Sequence, residues 1–270
     1  MIRLTSLARN GLSGAALPAR AMIGRLRQYG PRPPRFAGAY GSVAEALAAV
    51  PPGQLAGYDH EAATEVSFEA MTQVHLWDYP VLFWLDRVLA PGMTVLDAGG
   101  HLATKHTAFR RFLHLSGITW AVLDLPAIVQ RGRRLQAEGH LPASVQFHED
   151  PSACPAADVL LASGLLQYLE QPLADLVDRL AQRPSVILLN KVATRDGPEV
   201  VTLERIGPTR VAYRIRNHGQ FKQELRGMNL HLMDEWVIPG LGHRIATHPG
   251  LGTSISRGFA LSSHPPKAVR

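Results

Sequence analysis

The sequence has only one cysteine, Cys154, among its 270 residues, and no apolar run long enough for a signal peptide or a membrane-spanning helix. A single cysteine excludes a disulfide framework and a cysteine-ligated zinc site. Histidines are numerous, but the spacing of His101, His106 and His114 does not match a metal site, so no metal is expected. These absences predict a cytoplasmic protein without a transmembrane segment.

Acidic residues are absent before Glu45. The same stretch contains seven arginines, which supply much of the formal net charge of +6: Arg3, Arg9, Arg20, Arg25, Arg27, Arg32 and Arg35. This composition is typical of a tail or docking helix, and equally of a transit peptide or a surface-seeking amphipathic helix. No aromatic residues interleave with Arg and Lys as stacking platforms, so we expect no nucleic-acid partner.

Proline and glycine divide the chain into segments. Pro31, Pro33 and Pro34 end any leader helix, and residues 36–41 are predicted to be a loop. A capping box at residues 42–45 starts a short helix, and residues 60–89 have a helical pattern that Tyr79-Pro80 interrupts. The predicted units are a basic extension (1–35), a helical cap or lid (36–90), a Rossmann-like domain (91–264) and a C-terminal tail (265–270).

Short apolar runs alternate with helical stretches after residue 92, as in a parallel sheet covered by helices. The predicted strands are 94–97, 120–124, 145–147, 159–162 and 186–190, and the predicted helices are 107–115, 127–138 and 172–183. Right-handed crossovers wind this order into an open, mostly parallel α/β sheet. Residues 221–227 are predicted to form a helix, and residues 230–238 and 258–262 an antiparallel edge hairpin.

The main chemical motif is Val95-Leu96-Asp97-Ala98-Gly99-Gly100, a strand that ends in a glycine turn. Glycines let the backbone turn tightly and approach a ligand closely, and the following helix start offers free amides. The spacing departs from the dinucleotide fingerprint, and Asp97 would repel a pyrophosphate. A carboxylate instead attracts a cation, which favours S-adenosylmethionine as the cofactor.

Polar residues follow the next strands as well. Asp124 ends the second strand, where a carboxylate can accept both hydroxyls of an adenosine ribose. The predicted cofactor-binding residues are Asp97, Gly99, Gly100, His101, Asp124, Leu125, Glu149, Asp150, Ser163, Gln167 and Tyr168. Any one of them alone is equally explained as a helix cap or a surface residue, so the prediction depends on their joint placement at successive strand ends.

Three motifs resemble class I methyltransferases: the glycine turn, Val122-Leu123-Asp124-Leu125-Pro126 and Ser163-Gly164-Leu165-Leu166-Gln167-Tyr168-Leu169. More narrowly, they are similar to a poorly characterised bacterial methyltransferase family. That resemblance extends to Phe36-Ala37-Gly38-Ala39-Tyr40, Gly57-Tyr58-Asp59, Asn190-Lys191, Thr202-Leu203 and Tyr213-Arg214-Ile215, and so spans about residues 36–262.

The resemblance implies a seven-stranded sheet that binds S-adenosylmethionine at Asp97, Gly99, Gly100 and Asp124. It implies methylation of a small molecule, with O-methylation of a natural-product or surface-saccharide intermediate as the expected reaction. The sequence departs from the family at Ala103, where a third glycine is common, and at Glu204-Arg205, where amides are expected. A catalytically degenerate protein with this fold, acting as a binding partner or scaffold, is the alternative, and a related NAD or nucleotide-sugar enzyme is a weaker one.

A hydroxyl acceptor needs a base, and the candidate catalytic residues are His218, Lys191 and Tyr213. Four arginines alternate with apolar residues and either form a solvated edge or bind an acidic acceptor: Arg205, Arg210, Arg214 and Arg216. The expected partner is therefore a small-molecule acceptor with acidic character as one option, and the expected assembly includes a homodimer.

Overall fold

The computed structural model describes residues 16–51, 54–56 and 71–265. The predictions for residues 1–15, for Gly57-Tyr58-Asp59, for the helical pattern at 60–70 and for the tail beyond residue 265 lie outside the described residues. Among the residues that are described, no helix is both long and apolar enough to cross a bilayer.

The described helices and strands alternate along most of the chain. In chain order they are α1 (Leu17–Arg27), β1 (Phe36–Tyr40), α2 (Val43–Ala48), β2 (Leu55–Ala56), α3 (Tyr79–Val88), β3 (Thr94–Ala98), α4 (Thr104–Phe109), β4 (Thr119–Leu123), α5 (Pro126–Ala137), β5 (Val145–His148), β6 (Val159–Ser163), α6 (Leu173–Asp178), β7 (Val186–Arg195), β8 (Val200–Ile206), β9 (Thr209–Asn217), α7 (His218–Gly227), β10 (His231–Ile238) and β11 (Ile255–Ser262). Short 3₁₀ turns lie at Leu76–Asp78, Pro151–Ala153 and Pro249–Leu251.

Seven strands form the central sheet in the order β5-β4-β3-β6-β7-β11-β10. The five strands from β5 to β7 are parallel, and β11 is antiparallel to both β7 and β10. The predicted parallel strands and edge hairpin are thus confirmed. This order, with its single antiparallel strand beside the edge, is the Rossmann-like class I methyltransferase fold, and it reverses direction between β3 and β6, where ligands collect in open α/β sheets.

The central strands are buried on both faces, as expected for a parallel sheet covered by helices. Along β3, Val95 packs into the core on one face, together with Phe109 and Trp120. Its neighbour Leu96 packs into the core on the other face, together with Phe221. The near-continuous apolar runs in the sequence follow from this double burial.

A second, smaller sheet continues from the end of β7. Its strand order is β1-β8-β9-β2, and the last residues of β7, Thr194 and Arg195, pair with the end of β9. The prediction of a loop at residues 36–41 is therefore wrong, because Phe36–Tyr40 is a strand paired with β8. Its glycine and alanines have low strand propensity, and the pairing with a distant hairpin is what makes it a strand.

Two helices also differ from their predictions. The helix predicted at 107–115 is the shorter Thr104–Phe109, and the one predicted at 172–183 is Leu173–Asp178. Pro80 does not interrupt a helix but lies in the first turn of α3, where its missing amide proton costs nothing. The domain boundaries predicted near residues 35, 90 and 264 stay predictions.

Helix α5 packs closely on β5 at Gly132, where a Cβ would come within 2.6 Å of the buried Phe147 ring. We expect Gly132→Ala to lower the free energy of unfolding by about 1–3 kcal/mol because the ring must shift. Gly227→Ala, where a Cβ meets nothing within 4 Å, is the matched control and should be neutral or stabilising. Urea denaturation of both variants tests the expectation, and equal stabilities would contradict it.

Candidate functional site

A cavity of about 590 Å³ opens at the carboxyl ends of β3, β4 and β6, where the strand order reverses. A smaller cavity of about 220 Å³ adjoins it, and both are lined by Trp77, Gly99, Ser163 and Lys191. Ligands of open α/β folds bind at this place. The space consists of a first half over the glycine turn and a second half against β8 and β9.

The glycine turn has an unusual backbone. Gly99 has a φ of 70°, and His101 and Ala103 also adopt the left-handed region with φ of 54° and 55°. Ala103 thus takes the conformation that a third glycine would adopt, and its methyl group is fully buried. The departure at Ala103 therefore does not prevent the left-handed conformation at this position.

Asp97 lies beneath this turn, and its side chain occupies the space beside Gly100, where a Cβ would approach its Cγ to 2.6 Å. The Trp120 indole donates a hydrogen bond of 3.3 Å to Asp97 Oδ2. Burial raises the pKa of Asp97 to about 7, although Trp120 and Lys105 act in the opposite direction. Near neutral pH the carboxyl group is divided between its two forms, and a cation nearby would favour the ionised one.

Asp124 joins the end of β4 to the glycine turn. Its Oδ2 accepts a 2.8 Å hydrogen bond from the His101 amide, and its Oδ1 accepts one of 2.8 Å from the Leu125 amide. Burial raises its pKa, and these two amides oppose that shift. Each carboxylate oxygen can accept a further hydrogen bond, and Asp124, His101 and Leu125 all line the cavity.

Lys191 projects from β7 and lines both the larger and the smaller cavity. It has a φ of 58° in the middle of a strand, and no hydrogen bond or ion pair joins its Nζ to another described residue. Burial lowers the pKa of Lys191 to about 8, an effect that Lys105 reinforces and that Asp78 and Asp97 oppose. A share of this amine is therefore neutral at mildly alkaline pH.

The 3₁₀ turn at Leu76–Asp78 is clamped over the cavity by two contacts. Lys105 of α4 forms a buried ion pair with Asp78, with 2.6 Å between Nζ and Oδ1. On the other side, Asn190 of β7 donates a 3.0 Å hydrogen bond to the carbonyl oxygen of Trp77. These contacts fix the position of Trp77, which lines both cavities.

The second half of the cavity centres on Glu204 of β8, which is 1% exposed. Arg35 pairs with its Oε1 at 2.6 Å, and the Tyr168 hydroxyl donates to its Oε2 at 2.7 Å. The sequence departure at Glu204-Arg205 thus falls on the cavity wall, since both residues line it. Tyr168, predicted to bind the cofactor, contacts this half of the space.

An aromatic cluster adjoins Glu204. Tyr213 packs edge-on against Phe36, Tyr168 and His243, with ring centroids 5.0–5.5 Å apart. Burial and the nearby Glu204 raise the pKa of Tyr213 well above its usual range. Burial also lowers the pKa of His243 to about 4. At neutral pH, then, Tyr213 keeps its proton and His243 is uncharged.

Not all predicted site residues come together. Ser163 and Gln167 line the cavity, whereas Glu149 and Asp150 are exposed at the end of β5, where Asp150 pairs with Arg179. His218 begins α7 and lies 2.6 Å from Glu235, outside the cavity lining. Their roles stay predictions.

The four arginines predicted as a solvated edge or an acceptor-binding face do not act as one group. Arg216 donates to the Leu166 carbonyl oxygen, Arg210 to Gln54, and Arg214 to the Glu170 carbonyl oxygen. Arg205 alone of the four lines the cavity. The alternation in β9 serves internal hydrogen bonding because the strand is covered on both faces.

Several cavity residues were missed by sequence reasoning: Arg35, Trp77, Leu241, His243 and Ser256. They come from separate segments, and no spacing in the chain links them. Two cavity residues did lie next to motifs in the sequence. Arg35 is the basic residue before Phe36-Ala37-Gly38, and Glu204 is part of the departure from the family pattern.

No protein-family model matches the chain, and no curated protein matches it. Among solved structures, the Burkholderia thailandensis 1,6-didemethyltoxoflavin-N1-methyltransferase is 19% identical, covers 70% of this chain and 79% of its own, and has a TM-score of 0.47. A chain from the complex between the Haloferax volcanii Trm112 methyltransferase activator and a methyltransferase is 16% identical. It covers 76% of this chain and 97% of its own, with a TM-score of 0.49. A glycopeptide N-methyltransferase complexed with S-adenosylmethionine is 14% identical. It covers 67% of this chain and 93% of its own, with a TM-score of 0.45. These likenesses concern the fold, and the strand order already defines its class.

The lowered pKa of Lys191 is directly measurable because the chain has only four lysines. After reductive ¹³C-methylation, we expect one lysine resonance to titrate near pH 8, protonated below that value and neutral above it. The resonance should be missing from Lys191→Met. Since the folded pKa lies below that of an unfolded lysine, stability attributable to this group rises with pH between the two values. A Lys191→Met spectrum that retains the resonance would refute the assignment.

The ion pair between Asp78 and Lys105 gives a second expectation. Asp78→Asn leaves the Lys105 ammonium buried without a countercharge and should lower the free energy of unfolding by about 3–5 kcal/mol. Asp86→Asn, on the exposed side of α3, is the control and should change it by less than about 0.5 kcal/mol. Chemical denaturation measures both, and similar values for the two variants would show that the buried pair contributes little.

Proposed function

We propose that the protein is an S-adenosylmethionine-dependent methyltransferase that acts on a small molecule. The observation that carries the proposal is the placement of two carboxylates, Asp97 and Asp124, on either side of a glycine turn at the point where the strand order reverses. One cavity runs from that turn to a second, chemically different half. The same fold supports many functions, so the residues of this site are what support the proposal.

The first half of the cavity fits S-adenosylmethionine by shape and charge. Gly99 and Gly100 keep the turn free of side chains that would collide with its neighbours, since a Cβ at Gly99 would lie 3.0 Å from Leu165 and one at Gly100 2.6 Å from Asp97 Cγ. The lone pairs of Asp124 suit the two ribose hydroxyls, and Asp97 suits a cationic amino acid group. When bound, the cofactor supplies a methyl group on a cationic sulfonium.

The second half would hold the acceptor. Lys191 lies between the halves and, as a neutral amine at mildly alkaline pH, is suited to take the proton of an acceptor hydroxyl. Tyr213 keeps its proton and His218 lies outside the cavity lining, so among the three predicted bases the geometry favours Lys191. This role of Lys191 supports a hydroxyl acceptor, and the reaction we propose is O-methylation of a natural-product or surface-saccharide intermediate.

The wall around the acceptor half has both charge and hydrogen-bonding groups. Arg35 and Arg205 are placed to bind an acidic group on the acceptor. The Ser256 hydroxyl, which is 1% exposed and has no hydrogen-bond partner among the described residues, lines the same space. A cytoplasmic location, a homodimer and the absence of a nucleic-acid partner belong to the same proposal. The 36–90 segment is proposed as the cap over the acceptor.

Binding of S-adenosylmethionine tests the proposal. We expect the wild-type protein to bind it in calorimetry and Asp124→Ala to bind about 10–100-fold more weakly, because charge-assisted hydrogen bonds are lost. Asp175→Ala, an exposed carboxylate on α6, is the matched control and should bind like the wild type.

Absence of binding, or an Asp124→Ala variant that binds as well as the control, would favour the alternative of a methyltransferase fold that serves as a binding partner or scaffold. If binding is present, mass spectrometry of metabolites from a deletion strain and its parent would identify the acceptor. An unmethylated small molecule that accumulates in the deletion strain is the expected result.

A further inference from the structure

Helix α1 exposes an apolar face that the rest of the described chain does not cover. Met22, Ile23, Leu26 and Tyr29 are 60%, 53%, 68% and 78% exposed. Monomeric surfaces rarely collect large apolar side chains in this way, and such patches mark sites of interaction. The four residues fall on one side of the helix and the turn that follows it.

The opposite side of α1 is docked on the body of the protein. Gly24 is buried, and a Cβ there would come within 2.1 Å of the Ala246 carbonyl oxygen, so only glycine allows this approach. Leu17, Ala21 and Gln28 share the docked side at helical spacing and are partly buried. The orientation of the helix is therefore fixed, and its outward face is defined.

Positive charges lie along both margins of the apolar face. At about 100° per residue, Arg25 falls on one flank, and Arg20 and Arg27 fall on the other, between the docked side and the outward apolar side. All three arginines are exposed, and no acidic residue occurs before Glu45. The flanks thus carry charge of a single sign.

From this arrangement we propose that α1 is a membrane-surface helix that binds anionic lipid. An apolar face with cationic margins matches a bilayer interface, where side chains enter the acyl boundary while arginines contact lipid headgroups. A protein groove that binds an apolar helix face would not require positive charge along both margins of that face. Nucleic acid would leave the apolar residues exposed.

The docked position also links this surface to the cavity. Helix α1 packs against Ala246, and His243, three residues earlier, lines the acceptor half. Arg35, after the proline-rich connection from α1, lines the same half. Attachment through α1 would hold that part of the protein near the lipid headgroups.

Sedimentation of the full chain with lipid vesicles tests the proposal. We expect binding to vesicles of phosphatidylglycerol mixed with phosphatidylcholine, and much weaker binding to phosphatidylcholine alone. Arg25→Gln with Arg27→Gln should weaken binding to the anionic vesicles on the order of twentyfold. Ile23→Gln with Leu26→Gln should weaken it roughly tenfold or more. All of these side chains are exposed, so the variants should fold.

Matched controls come from another exposed segment. Phe112→Gln, at a side chain that is 53% exposed, and Arg110→Gln with Arg111→Gln should leave vesicle binding unchanged. The proposal is overturned if the full chain stays in solution with anionic vesicles, or if the α1 variants bind as well as the controls. It is also overturned if light scattering without lipid shows a dimer that Ile23→Gln with Leu26→Gln dissociates, because a second copy would then cover this face.

Discussion

At Asn190 and Lys191, strand β7 sets two residues against the single Gly258 of β11, and Lys191 adopts a left-handed backbone conformation. Such a conformation costs a non-glycine residue about 1–2 kcal/mol. Asn190 offsets this cost through hydrogen bonds to the Trp77 carbonyl oxygen and from the Trp236 indole. Before this bulge β7 builds the central core, and after it β7 pairs with β9, so both sheets and the cavity between them depend on it.

The bulge also places the Lys191 side chain among the other charged groups of the site. Asp97, Lys105 and Lys191 line the smaller cavity, and the buried Asp78 lies behind Lys105. Of these four groups, Asp78 and Lys105 form the ion pair that the described residues contain. Asp97 and Lys191 are left with pKa values displaced toward neutrality. Groups with displaced pKa values in a cleft are typical of functional sites. This charge balance supports the proposed binding of a cationic cofactor and the proposed role of Lys191 in proton transfer.

Much of the fold could be predicted because its determinants are local. The apolar runs around Val95, Trp120 and Leu160 predicted strands that the structure confirms, since burial on both faces leaves a continuous signal. Phe36–Tyr40 gave no such signal, because its pairing with β8 joins residues about 165 positions apart. The residues of the site likewise include some that local sequence predicted and some that it did not. Asp124 followed from its position at a strand end, whereas nothing in the sequence linked Arg35 to Glu204.

The sequence by itself determined the glycine turn, its acidic neighbours and the basic, acid-free leader, because each depends on residues that are adjacent in the chain. Only the tertiary structure decided that Lys191 faces the cavity, that His218 pairs with Glu235 elsewhere, and that the arginines of β9 are used internally. Those outcomes depend on bulge geometry and strand pairing. Both are set by contacts between distant segments, and a pattern along the chain does not record them.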